Sequence, residues 1–160
     1  LMAQYLADGH ELGVHSTVHT DLTKLTPEEL HQDMGETARQ IEERAGVRPV
    51  LMRPPGGAYD EAVLREAREE GLSVILWSVD PRDWATHDTA AVERAVLKNV
   101  KDGDIVLLHD MSDSSVQAAL DIVDVLLDKD YEIVTVSRLV RLRGVKLRPG
   151  QVYTRFQKTS

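Results

Sequence analysis

The chain alternates between amphipathic helical segments and short apolar runs, and this alternation restricts its fold more than any other feature. The runs LSVILWSVD (residues 72–80) and DIVLLHD (residues 104–110) are nearly continuous, which is typical of strands covered on both faces. Further strands are predicted in PVLMRPP (residues 49–55) and EIVTVS (residues 132–137). Helix-then-strand units in series indicate an α/β fold with a mostly parallel sheet.

Capping signals set the predicted helix boundaries. Thr26 and Glu29 form a capping box before a helical face that Gly46 ends. Asp60 and Gly71 bracket the next helix in the same way. Three more helices are predicted, in LMAQYLADG, in AAVERAVLKNV after Thr89, and in VQAALDIVDVLLDKD after Ser114 or Ser115.

Composition excludes several classes of partner. The net charge of −8 opposes binding to a phosphate backbone, so no nucleic-acid partner is expected. No apolar run approaches the about 20 residues that a membrane-spanning helix needs. The chain has no cysteine, which excludes disulfides and thiolate metal sites. The basic stretch from Arg138 to Arg148 is interpreted as a solvated tail.

Polar and glycine-rich motifs follow the predicted strands, where sites of parallel α/β proteins gather. They are HSTVH (residues 15–19), RPPGG (53–57), DPRDW (80–84) and LLHD (107–110). Each alone has an ordinary interpretation: capping histidines, a rigid turn, a packed loop and a core histidine. Two histidines one helical turn apart can also bind a divalent metal, although a catalytic site needs a third ligand.

Together the motifs supply the parts of metal-assisted hydrolysis of an amide or ester. The glycine-rich turn offers backbone N–H groups to an oxyanion, and an arginine can orient a carboxylate. A histidine paired with an aspartate is suited to general acid catalysis. Trp84 and Leu107 can wall a small apolar pocket.

The order of these four motifs closely resembles the polysaccharide deacetylases, the NodB-homology group of carbohydrate esterase family 4. The resemblance covers essentially the whole chain. It implies an α/β fold that is a deformed (β/α) barrel with one divalent metal ion, zinc or alternatively cobalt or a similar ion. The implied reaction removes N-acetyl groups from N-acetylglucosamine polymers such as peptidoglycan or chitin oligosaccharides.

The resemblance also implies a role for each candidate residue. The implied metal ligands are His15 and His19. The implied catalytic residues are Arg53, which orients the base, Gly56, whose N–H serves the oxyanion, and Asp83, which hydrogen-bonds the acid His109. The implied substrate contacts are Pro55, Gly57, Trp84 and Leu107.

Two departures from the family pattern shape the expectations. Members often carry an aromatic residue where Gly56 stands. The family's first motif, with two adjacent aspartates that serve as general base and third metal ligand, has no counterpart from Leu1 onward. Residues 1–160 are therefore expected to be the C-terminal three-quarters of one catalytic domain, with the N-terminal strand or strands upstream.

Three explanations stay open at this point: a late start, a nicked protein whose N-terminal fragment is a separate partner chain, and an inactive remnant. The expected partner is an acetylated polysaccharide, and such polymers place the protein outside the cell or on its surface. Alternative functions are an acetylxylan esterase of the same family and a non-catalytic glycan-binding remnant.

Overall fold

The structure is a computed structural model that describes residues 1–158, and these residues form two compact units. The first unit comprises residues 1–76 and 145–153. The second comprises residues 77–144 and the C-terminal residues from 154. No helix among residues 1–158 is long and apolar enough to cross a membrane.

The first unit is a parallel sheet with helices, as the alternating pattern predicted. The helices and strands are α1 (Met2–Ala7), α2 (Pro27–Ala45), β1 (Leu51–Met52), α3 (Glu61–Glu69), β2 (Ser73–Ile75) and β3 (Val152–Tyr153). The strand order is β1-β2-β3, and both pairings are parallel. Met52 lies opposite Val74, which lies opposite Val152, and Val14 bridges Met52 from the other side of β1.

Capping in the first unit follows the sequence signals. The Thr26 hydroxyl accepts the Glu29 N–H at 3.3 Å, and the Glu29 carboxylate accepts the Thr26 N–H at 2.8 Å. Gly46 ends α2 with a φ of 74°, a left-handed conformation that glycine adopts without steric cost. The apolar face of α2 then packs into the core, whose fully buried side chains include Leu22, Leu30, Met34, Met52, Val63, Leu72 and Val74.

The second unit is mainly helical. Its helices are α4 (Asp83–Thr86), α5 (Thr89–Asn99), α6 (Asp113–Asp128) and α7 (Val136–Leu142). A parallel bridge joins Val79 to Val106, and the core combines α5 and α6 residues such as Val92, Val96, Ala118, Ile122 and Leu126 with Val79. Ser112 caps α6, so the prediction of Ser114 or Ser115 as the cap was wrong.

Strand predictions were also wrong or too long, and LSVILWSVD, for example, is a strand only at Ser73–Ile75. EIVTVS is not a strand, because the Thr135 hydroxyl accepts the Arg138 N–H and Val136 begins α7. DIVLLHD contributes isolated bridges at Asp104 and Val106 rather than a continuous strand. Conversely, β3 lies in the C-terminal tail, where no strand was predicted.

Candidate active site

His15 and His19 lie close together in the first unit. Their ring centroids are 4.9 Å apart, and the ring planes meet at 73°. The predicted helical spacing was wrong, since the segment is a loop in which Ser16 and His19 have φ values of 67° and 54°. The pair is therefore brought together by left-handed backbone conformations and not by a helical turn.

A main-chain carbonyl fixes the His15 tautomer. The His15 Nδ1 lies 2.7 Å from the Arg53 carbonyl oxygen, which can only accept a hydrogen bond. Nδ1 therefore carries a proton, and in the neutral ring Nε2 carries the lone pair. Metal-binding histidines use this arrangement, in which the bond made by one ring nitrogen orients the other.

Arg53 connects three neighbouring segments of the first unit. Its N–H donates to the Val14 carbonyl at 2.8 Å. Its guanidinium donates to the carbonyls of Ile75 at 3.0 Å and Leu76 at 3.3 Å. Burial lowers the pKa of this guanidinium from its usual value, and an arginine remains charged at neutral pH even so.

The glycine-rich turn after β1 is a 3₁₀ segment, Pro55–Gly57. Gly56 and Gly57 have φ values of 62° and 73°. A Cβ atom added to Gly56 would meet nothing within 4 Å, so backbone conformation rather than crowding favours glycine there. The turn is closed by the Gly57 N–H, which donates to the Pro54 carbonyl at 2.9 Å.

The histidine pair fits part of a metal centre. Two imidazoles this close suit zinc or another transition metal, and such a centre needs at least one more protein ligand. Among residues 1–158, the one group of three potential ligands with donor atoms within 4.8 Å of one another is His31, Glu66 and Glu70, and it does not include the pair. The pair would thus supply two of the ligands that such a centre needs.

The His31 group bridges α2 and α3 and was not identified from sequence. His31 Nδ1 lies 2.9 Å from Glu66 and 3.8 Å from Glu70, and Arg48 lies 2.8 Å from Glu70. The hydrogen bond and charge of Glu66, followed by the charges of Glu70 and Glu69, raise the pKa of His31. The group is an ion-pair network between two helices. Its signal in the sequence is the i,i+4 spacing of Glu66 and Glu70.

The second unit holds the predicted acid and its partner. The side chain of Asp83 is fully buried, and that of His109 is 31% exposed. Asp83 Oδ1 lies 2.9 Å from His109 Nδ1, and Asp83 Oδ2 accepts the His109 N–H at 2.8 Å. One carboxylate therefore fixes both the backbone and the ring of the same histidine, and it leaves Nε2 as the ring's outward nitrogen.

The charge state of Asp83 suits this role. Burial alone raises the pKa of Asp83, but hydrogen bonds from the His109 ring and N–H and from Ser115 together outweigh it. The net effect lowers the pKa of Asp83 below its usual 3.8. An ionised carboxylate can accept a hydrogen bond from Nδ1, and this bond orients the ring for proton transfer at Nε2.

The two predicted pocket residues differ in exposure. Trp84 is half exposed, and the Arg82 guanidinium lies 5.4 Å from the centre of its ring. Leu107 is buried, and its N–H donates to the Val79 carbonyl at 2.9 Å. Trp84 therefore exposes a broad surface, whereas Leu107 is 7% exposed and could offer a ligand only a small part of its side chain.

The candidate residues thus form two groups, one in each unit. The first contains His15, His19, Arg53 and the Pro55–Gly57 turn, and the second contains Asp83, Trp84, Leu107 and His109. Within the groups, His15 contacts both Arg53 and His19, and Asp83 contacts His109. The catalytic, substrate-binding and metal-binding roles remain predictions.

Comparison with known proteins identifies the family. The model of the family described as "Polysaccharide deacetylase" matches residues 1–75. The chain is 38% identical to a peptidoglycan-N-acetylglucosamine deacetylase of Bacillus cereus, over 89% of this chain and 69% of that protein. It is 36% identical to a peptidoglycan-N-acetylglucosamine deacetylase of Listeria monocytogenes, over 99% of this chain and 32% of that protein.

Solved structures agree with this match. A structure described as "T48 deacetylase with substrate" has a TM-score of 0.87 at 36% identity, over 95% of this chain and 74% of that chain. A family 4 acetyl xylan esterase from Clostridium thermocellum, in complex with a cobalt ion, has a TM-score of 0.88 at 27% identity, over 96% and 76%. The chain belongs to the polysaccharide deacetylase family, carbohydrate esterase family 4. The predicted family and its α/β fold are confirmed.

Proposed function

We propose that this protein is a metal-dependent deacetylase that hydrolyses the N-acetyl groups of N-acetylglucosamine polymers, such as peptidoglycan or chitin oligosaccharides. The observation that carries the proposal is the Asp83–His109 pair, in which a buried carboxylate orients a histidine by two hydrogen bonds. Binding a glycan does not require an acid arranged in this way. The names of the relatives support the choice of substrate.

In this proposal His15 and His19 hold a divalent ion, zinc or cobalt, together with a carboxylate supplied from elsewhere in the protein. When bound, the ion supplies Lewis-acid activation of a water molecule and of the acetyl carbonyl. The His15 Nδ1–H donates a hydrogen bond to the Arg53 carbonyl, which leaves Nε2 to coordinate the ion. Arg53 itself orients the carboxylate base.

The remaining residues act on the amide. A water molecule forms a bond to the carbonyl carbon as it gives one proton to the carboxylate base. The Gly56 N–H donates to the carbonyl oxygen while that oxygen becomes an oxyanion. Protonated His109 then gives its Nε2 proton to the departing sugar nitrogen as the C–N bond breaks. Asp83 stabilises the imidazolium until that proton is transferred. Acetate and a free amine are the products. Pro55, Gly57, Trp84 and Leu107 are assigned to substrate contact.

The test is acetate release from N-acetylglucosamine oligomers, with metal content measured on the same samples. His109→Ala should lower turnover on the order of 10²-fold or more while metal content is retained. His15→Ala should lose both metal and activity. His87→Asn, a change to an exposed histidine of the same unit with a φ of 48°, is the control that should change neither.

Full turnover by His109→Ala would contradict the proposed acid. A folded, metal-loaded protein that binds the oligomers without releasing acetate would instead favour the non-catalytic glycan-binding alternative.

A second candidate activity is hydrolysis of acetyl esters of xylan. The observation that favours it is the likeness to the Clostridium thermocellum acetyl xylan esterase. Amide hydrolysis depends more on protonation of the leaving group than ester hydrolysis does, since amines are poorer leaving groups. His109→Ala should therefore impair acetate release from chitin oligomers more strongly than from acetylated xylan. Faster release from xylan by the unmodified protein would assign the ester activity.

The polymers named for its relatives lie outside the cytoplasm, and we propose an extracellular or cell-surface location for this protein. Fractionation of the source cells tests this proposal. Recovery of the protein with the wall or the medium supports it, and recovery with the cytosol contradicts it.

A further inference from the structure

Asp33 is a buried carboxylate beneath the HSTVH loop that none of the assigned roles uses. It lies on α2 and is 9% exposed. Its Oδ2 accepts two hydrogen bonds from the loop, from the Ser16 hydroxyl and from the Thr17 N–H, each at 3.0 Å. Its Oδ1 is buried and has no hydrogen-bond partner among residues 1–158.

The main chain of Asp33 holds the same loop a second time. Its carbonyl oxygen accepts the Thr37 hydroxyl at 2.7 Å, and the Thr17 hydroxyl lies 3.2 Å from it. The two threonine hydroxyls are 2.8 Å apart. Thr17, which lies midway between the two histidines in sequence, is thus fixed to α2 through both its N–H and its side chain.

This anchoring falls where the loop is strained. Ser16 and His19 both have left-handed φ values, 67° and 54°. Non-glycine residues persist in this region when their surroundings over-determine the conformation, at a cost of about 1–3 kcal/mol each. The hydrogen bonds to Asp33 act directly on Ser16 and on its neighbour Thr17. His15 is fixed independently by the Arg53 carbonyl.

We propose that Asp33 is a positioning residue for the metal-binding pair: its carboxylate holds the loop in the conformation that brings His19 to His15. The inference deepens the proposed function and rests on it for the purpose of the pair. The hydrogen bonds that the Asp33 carboxylate makes to the loop go to Ser16 and Thr17, and Asp33 acts through these two residues.

The unpartnered oxygen makes asparagine an informative replacement. In Asp33→Asn the amide oxygen can accept both loop hydrogen bonds, and the NH₂ group takes the place of the Oδ1 that has no partner. The variant removes the charge and keeps the loop's acceptor. Asp33→Ala removes both. The two variants therefore separate anchoring of the loop from electrostatic attraction of a cation.

The experiment compares the full protein with Asp33→Ala, Asp33→Asn and a matched control, Glu66→Ala. Glu66 is 8% exposed, lies in the same unit and bonds to His31 instead of the loop. One readout is the imidazole ¹H–¹⁵N spectrum of His15 and His19 without metal. The others are Co²⁺ affinity, measured by competition with a coloured chelator, and Tm.

We expect Asp33→Ala to shift the ring signals of His19 and His15. It should also weaken Co²⁺ binding by about 10-fold or more, which is the range found when residues that support metal ligands are mutated. The ring signals and the Co²⁺ affinity of Asp33→Asn should stay nearer those of the unmodified protein. Glu66→Ala should lower Tm without moving either readout. Adding Ser16→Ala to Asp33→Ala should weaken Co²⁺ binding little further, because both changes remove the same hydrogen bond between Ser16 and Asp33.

Two results would overturn the inference. In the first, Asp33→Ala matches Glu66→Ala in ring signals and Co²⁺ affinity. In the second, Asp33→Asn weakens Co²⁺ binding as much as Asp33→Ala while the ring signals stay unchanged, which would make the effect one of charge. If the unmodified protein binds no Co²⁺ through His15 and His19, the proposed metal role fails, and the ring signals still decide the role of Asp33.

Discussion

Asp83 accepts two hydrogen bonds from one residue, and this makes its replacement by asparagine a sharp test. The two carboxylate oxygens serve the His109 N–H and the His109 Nδ1–H separately. Asparagine has one oxygen and one NH₂ group, so one of these donors must lose its acceptor. The ring can adjust and the backbone N–H cannot. Asp83→Asn should therefore move the proton of the neutral ring from Nδ1 to Nε2.

The ¹⁵N shifts of the His109 ring measure this change directly. The imidazolium should also lose stability, so turnover should fall by at least about 10²-fold. Asp80→Asn is the control, since its exposed carboxylate accepts the Arg82 N–H in the turn that precedes α4. An unchanged Nδ1–H tautomer in Asp83→Asn would show that the carboxylate does not set it.

Gly103 gives a second prediction for a single residue. It has a φ of 89°, and an added Cβ would overlap the carbonyl oxygen of Phe156. Gly144, in the same unit, has a φ of 63° with nothing within 4 Å of such a Cβ. Gly144→Ala should cost about 1 kcal/mol for the left-handed backbone alone.

Gly103→Ala adds the clash to that cost. It should lower the free energy of unfolding by at least about 2 kcal/mol more than Gly144→Ala, because the colliding atom is main chain and cannot rotate away. Urea denaturation of the two variants measures the difference. Equal losses of unfolding free energy in the two variants would mean that the segment around Phe156 moves away from the added Cβ at no energetic cost.

At the scale of elements, the His31–Glu66 contact couples α2 to α3 in a pH-dependent way. The pKa of His31 is raised above its usual 6.5, mainly by the hydrogen bond to Glu66. The stabilisation is fully present below the unfolded-state pKa and is lost as pH rises through the folded-state pKa. Glu70 and Glu69 add to it, and Arg48 pairs with Glu70 nearby.

His31→Gln should therefore destabilise the protein at pH 5.5 and have little effect at pH 8.5. Since His31 is largely exposed, the effect will be small. Thermal unfolding across this range measures it. In a Glu66→Gln background the pH dependence of the His31→Gln effect should largely disappear, and its persistence there would assign it to other charges.

Helices were easier to predict than strands in this chain, for a local physical reason. Thr26, Glu29 and Asp60 satisfy N–H groups within three residues, so the cap can be recognised from sequence alone. Strands depend on partners that are distant in sequence. At EIVTVS the cap formed by Thr135 prevails over β propensity, and β3 is two residues that find a partner in β2.

The candidate site divides in the same way. Residue types and their order indicated His15, His19, Asp83 and His109, because imidazole and carboxylate groups can be recognised from the sequence alone. Sequence did not predict that the HSTVH segment is a loop, since i,i+4 spacing also fits a helix. Asp33 was missed, although a signal exists: it is an acidic residue beside the apolar face of α2, where water is excluded.

For the whole molecule, the net charge of −8 bears on the product of the proposed reaction. Deacetylation turns a neutral acetamide into an amine that is cationic near pH 6. Deacetylated oligomers should be attracted to the acidic protein, and salt should screen that attraction. Calorimetry should show that their affinity falls as NaCl rises from 50 to 500 mM.

Fully acetylated oligomers of the same length, which are neutral, should show little change over that range. If both oligomers respond equally to salt, the surface charge does not favour the product, and product release would not depend on ionic strength.

Arg53 holds His15 with an atom that every amino acid possesses. The acceptor is its main-chain carbonyl, while its guanidinium is engaged separately with the carbonyls of Ile75 and Leu76. Substitution at this position therefore changes the guanidinium and not the main-chain carbonyl. The hydrogen bond to His15 depends only on the backbone conformation. A homologue that lost the arginine and the hydrolytic activity would still keep the His15 imidazole in this orientation, where it could serve a different function.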